Sequence, residues 1–90
     1  MMDFDQDLFT HAYSESMRLT PLERRKELYD LYVACGFEFS EDKKRLTGTR
    51  SLEVSLEVSL GRLAQRMKNT FPVAYLSVKR HLAKGRVNLR

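Results

Sequence analysis

The chain has no tryptophan, one cysteine, two histidines, four glycines and no acidic residue beyond Glu57. Each shortage excludes something. Cys35 alone cannot form an internal disulfide, and a secreted domain of 90 residues usually needs several. Neither His11 nor His81 sits in a zinc-ligand pattern with Cys35 or with the other histidine. The glycines at 36, 48, 61 and 85 are scattered, so no phosphate-cradling loop is formed. No stretch approaches the roughly 20 apolar residues of a membrane span. The first residues, Met1 to Asp7, are acidic and no apolar run follows them, unlike a standard signal peptide. The expectation is a cytoplasmic protein with Cys35 reduced, no membrane partner, no metal, no cofactor and no catalytic residues. Nothing in the chain meets the geometric requirements of an enzyme site.

Phe, Tyr, Leu and Val are plentiful enough for one core, and a charged fraction of 31% with both signs present is globular composition. Residues 1–90 are expected to form a single small domain. The charge is unevenly divided. Residues 1–42 hold four Lys/Arg and ten Asp/Glu, a balance of −6, whereas residues 43–90 hold twelve and two, a balance of +10. Either the two halves attract each other or the second half is an electrostatic footprint for a partner.

The periodicity predicts a mainly α protein, a bundle of three to four helices with room for a short hairpin or strand within 37–58. The first helix is expected from Asp3 to Arg18, with Phe4, Leu8 and Ala12 on one face and three aspartates at the positive end of its dipole. Thr20, Pro21 and Glu23 form a capping-box pattern for a second helix, which buries Leu28, Leu31, Tyr32 and Cys35 and stops at Gly36. Phe37 and Phe39 alternate with Glu38 as in a strand, Glu41 to Arg45 reads as a charged turn, and Thr47-Gly48-Thr49 as a second break.

Residues 51–60 satisfy two periods at once. Leu52, Val54, Leu56, Val58 and Leu60 alternate as in a strand, but Leu52, Leu56, Leu60, Leu63 and Met67 also make a helical stripe. The stripe outlasts the alternation, so one helix from about 51 to 69 is expected. A strand to Val58 followed by a shorter helix is the rival. The helix leaves Val54 and Val58 on its back, which predicts self-association as a homodimer. A last helix runs from Pro72 to about Lys84 on Tyr75, Val78 and Leu82, with Val73 and Leu76 beside them.

The strongest functional signal is basic. Arg62, Arg66 and Lys68 fall on the third helix, Lys79, Arg80 and Lys84 on the fourth, and Arg86 beyond it. Ordinary solvated helices mix signs to gain i, i+4 pairs, and this region does not. Such faces neutralise phosphates, so these seven residues are the candidate binding set for nucleic acid, with DNA the first choice. In addition, Leu60-Gly61-Arg62-Leu63-Ala64-Gln65-Arg66-Met67 resembles the first helix of the helix-turn-helix DNA readers. Val78 to Leu82 resembles the later part of their recognition helix. Lys68 to Phe71, before Pro72, is a few residues longer than that motif's tight turn. The alternative is a protein-interaction module, an inhibitor or adaptor whose basic face docks on an acidic protein surface, or whose acidic segment from Asp3 to Glu15 does the docking.

Overall fold

The computed structural model describes residues 4–50 and 56–85. Asp5 caps the first helix, α1 (Gln6–Arg18), its carboxylate accepting a hydrogen bond from the Leu8 amide at 3.0 Å. Thr20 does not open the second helix as a capping box. It turns back, its hydroxyl donating at 2.7 Å to the Ser16 carbonyl at the end of α1. The buried Thr20 hydroxyl satisfies a helix-end carbonyl in its own turn, and Pro21, with ψ of 142°, then redirects the chain. A single 3₁₀ turn (Leu22–Arg24) leads into α2 (Arg25–Ala34), and neither start has a side-chain cap.

Gly36 ends α2 at a φ of +102°, a conformation that side chains rarely adopt, and a Cβ there would stand 3.2 Å from the Ser59 hydroxyl oxygen. The chain then makes an antiparallel hairpin, β1 (Phe37–Phe39) with β2 (Leu46–Thr49), pairing Phe37 with Thr49 and Phe39 with Leu46 across a bulge. The Thr47-Gly48-Thr49 stretch is thus strand and not a break. The charged turn is built as the sequence predicts. The Asp42 carboxylate accepts from the Ser40 hydroxyl and from the Lys44 amide, which also hold its pKa below the ordinary carboxylate value. Lys43 takes the left-handed conformation.

Leu56 to Leu60 are helical, the start of α3 (Leu56–Thr70). This overturns the strand rival from Leu56 onward, while Leu52 and Val54 lie outside the described residues. Burial explains the outcome: Leu56, Leu60, Leu63, Ala64 and Met67 face the core at helical spacing. Phe71 alone links α3 to α4 (Pro72–Lys84). The segment from Lys68 is therefore helix to Thr70, and the connection is shorter than the sequence suggests. Proline at the first position of α4 permits so abrupt a start.

One core unites these elements, in two textures. Between α1, α2 and the hairpin it is aromatic. Tyr13 meets Tyr32 and Phe39 edge-on at 4.9 Å, and Phe9 and Tyr32 close on Phe37. The Ser16 hydroxyl donates to the Tyr13 carbonyl at 2.7 Å, so the Tyr32 hydroxyl, 3.0 Å away, donates to Ser16. Between α3, α4 and the rest it is mainly aliphatic, through Leu56, Leu60, Leu63, Met67, Val78 and Leu82, with Phe71 and Tyr75 as its buried aromatics. The most extensive helix pairing is α1 with α4, the first and last helices. No described helix is long and apolar enough to cross a membrane.

Candidate nucleic-acid interface

The residues that bury α3 also decide what it shows to solvent. At about 100° per residue, a buried stripe through Leu56, Leu60, Leu63 and Met67 puts Val58, Gly61, Gln65 and Asn69 along the outer face. All four are exposed. Arg62 and Arg66 lie along one edge of that face and Lys68 along the other, and all three are exposed. The two edges meet different neighbours. Arg66 lines a groove with Glu27, Asp30, Leu31 and Ala34 of α2. The Lys68 ammonium lies 5.3 Å from the Tyr75 ring centroid, so its edge faces α4.

On α4 the sequence-predicted cations separate. Tyr75 marks the side turned to α3, and Lys79, one turn on, shares that side. Arg80 and Lys84 fall about 140° and 180° round the helix from Tyr75. They continue a line that begins with Val73 and Leu76. The structure therefore brings Arg62, Arg66, Lys68 and Lys79 into a belt across α3 and its junction with α4, and puts Arg80 and Lys84 on another side. Arg86 lies outside the described residues.

Among the described residues, ion pairing is confined to α1, the 3₁₀ turn and α2. The ion pairs among the described residues are Arg18 with Glu15 at 2.8 Å, Arg24 with Glu27 at 2.8 Å and Lys26 with Asp30 at 3.1 Å, all within a single turn of helix. The Arg18 contact holds Glu15 below the ordinary carboxylate value, with smaller assistance from His81 and His11. Among the described residues, Arg62, Arg66, Lys68, Lys79, Arg80 and Lys84 have no ion-pair partner. None of the ion pairs among the described residues joins the two halves of the chain.

Cys35 is buried, and burial pushes its thiol up despite the opposing influence of Arg66 and Arg62, which is the state of an unreactive core thiol. No group of three or more potential metal ligands occurs among the described residues. Two further features emerge from the structure, and only the first lies beyond the reach of sequence periodicity. His11 of α1 and His81 of α4 meet at a tilt of 54° with ring centroids 5.0 Å apart, while the Ser77 carbonyl lies 2.9 Å from His81 Nδ1. Val73 and Leu76, placed by the sequence beside the buried side of α4, are exposed. The first follows only from the α1–α4 pairing. The second was foreshadowed by the spacing, since both stand well away from Val78 and Leu82 on a helical wheel. No protein-family model, no curated protein and no solved structure matches this chain.

Proposed function

We propose that this is a non-enzymatic nucleic-acid-binding protein whose contact element is the outer face of α3, extended to Lys79. One observation carries the reading: the cations of α1 and α2 considered above are paired within their own turns, whereas Arg62, Arg66, Lys68 and Lys79 are exposed without an ion-pair partner among the described residues. Exposed unpaired cations on adjacent helices are a preformed site for phosphates, whose binding releases condensed counter-ions.

The centre of the same face favours a duplex over an acidic protein. Between the flanking cations stand Gln65 and Asn69, whose amides can donate and accept at a base edge, and Gly61, where an added Cβ would meet nothing within 4 Å. A helix with cations at its edges and amides along its middle suits a major groove, with phosphates to either side. This moves the contact from the fourth helix, where the helix-turn-helix resemblance would put it, to the third.

The test is a salt titration of binding to mixed-sequence duplex DNA. Four phosphate contacts give a slope of log affinity against log salt of about −3 to −4. Arg62→Glu with Arg66→Glu should remove about two units of that slope while leaving the melting temperature unchanged. Failure to bind duplex at low salt, or binding insensitive to salt, overturns the reading.

A further inference from the structure

The other exposed face has different chemistry. The large hydrophobic residues exposed among the described residues are Leu19, Leu22, Val58, Val73 and Leu76, and all except Val58 gather at one end of the molecule. Leu19 and Pro21, from the turn after α1, face Pro72 and Val73 of α4 across a groove that also reaches Phe71. Leu22 adjoins Pro21, and Leu76 follows Val73 one turn along α4. Leu22 is 75% exposed, Val73 58% and Leu76 56%, which for grouped large apolar side chains marks an interaction surface.

We propose that this surface is where a second copy of the chain docks, by a two-fold contact that pairs α4 with α4. The argument is charge complementarity. The apolar strip ends in opposite charges: Glu23 beside Leu22 at one end, and Arg80 one turn beyond Leu76 at the other. Both are exposed, and neither has an ion-pair partner among the described residues. A two-fold contact must be self-complementary, because every residue meets the same surface reversed. Reversing this strip lays the Arg80 end of each copy on the Glu23 end of the other and covers both sets of Val73 and Leu76. Arg80 and Lys84, which do not join the belt on α3, thereby acquire a place at the rim. The outer face of α3 takes no part in this contact, so the inference stands whether or not the duplex-binding one does.

Sedimentation equilibrium of the full chain, from low to high micromolar concentration, tests the proposal. The wild type should show a monomer–dimer equilibrium. Leu76→Asp should abolish the dimer with an unchanged circular dichroism spectrum, since the side chain is exposed. Glu23→Arg and Arg80→Glu, each alone, should weaken the dimer about tenfold or more by juxtaposing like charges twice. The double variant carrying both should recover it. A wild type that stays monomeric throughout overturns the proposal and leaves the surface to a different partner. A dimer indifferent to Leu76→Asp and to the charge swap overturns it as well, by placing the contact elsewhere.

Discussion

The acidic half of the molecule and the basic half solve the same problem by different chemistry. The segment from α1 through the hairpin packs aromatic rings on one another and spends its described salt bridges on itself, within single helical turns. The α3–α4 segment packs mainly aliphatic side chains and, among the described residues, leaves its candidate cations without an ion-pair partner. The opposed net charges of the two halves suggest attraction across their boundary, but none of the described ion pairs crosses it. What joins them is mainly apolar, the continuous core and above all the packing of α1 on α4, while Arg24 adds a hydrogen bond to the Thr70 carbonyl and lies over the Phe71 ring. Among the described residues the exposed cations of α3 and α4 take no part in an ion pair between the halves, which leaves them open to the proposed contact.

If apolar packing joins the halves, truncating the aliphatic side should unfold both together. Leu63 is almost fully buried in α3, and Leu63→Ala should cost roughly 3–4 kcal/mol; Leu56→Ala, at the edge of the core, should cost nearer 2. Chemical denaturation followed by tyrosine fluorescence in a Tyr75→Phe background, where Tyr13, Tyr29 and Tyr32 remain to report the aromatic half, should show one cooperative transition moved to lower denaturant. An aromatic signal that does not shift in Leu63→Ala would separate the halves and break the comparison.

A second expectation probes the aromatic side. Burial, followed by a smaller influence of Tyr29, pushes the Tyr13 phenol up to about 12 from an ordinary value near 10, and burial also pushes Tyr32 up. The folded state thus holds neutral phenols more firmly than the unfolded chain does. Their stabilisation is fully present below about pH 10 and is lost as pH rises through about 12. For Tyr13 this corresponds to about 2–3 kcal/mol. Unfolding monitored against pH should begin in that window, and tyrosinate absorbance should rise in step with loss of helix. Tyr13→Phe should move the transition to higher pH.

Much of this arrangement can be read from the residues. The helical stripe from Leu56 to Met67, Pro72 as the start of α4, Gly36 as the stop of α2 and the burial of Cys35 follow from period, backbone preference and hydrophobicity, which are local. The capping-box pattern at Thr20 misleads because a buried hydroxyl takes whichever carbonyl is nearest, and here that is Ser16, behind it in the chain. Thr47 to Thr49 reads as a break because glycine and threonine are usual in turns, whereas pairing with β1 makes it a strand. The seven-residue basic set shows a related limit. Composition locates the charge on two helices, but only the packing of Tyr75 toward α3 tells that Lys79 joins the α3 cations and that Arg80 and Lys84 do not.

The smallest effect gives the most direct test of whether placement or total charge governs binding. Lys26→Ala and Lys68→Ala each remove one positive charge, and each begins from an exposed side chain. A protein that binds phosphates through its overall charge would lose the same affinity in both. The structure separates them. Lys26 is held by Asp30 one turn along α2, and its ammonium is already matched. Among the described residues Lys68 has no such partner, and it lies at the edge of the proposed contact, over the Tyr75 ring. Lys26→Ala should leave both the affinity for duplex DNA and its salt slope where they are, and should shift the melting temperature little, as expected for an exposed i, i+4 pair. Lys68→Ala should lower affinity across all sequences and reduce the salt slope by about one. Equal losses in the two variants would mean that net charge alone attracts the nucleic acid, and that α3 is not the element that meets it.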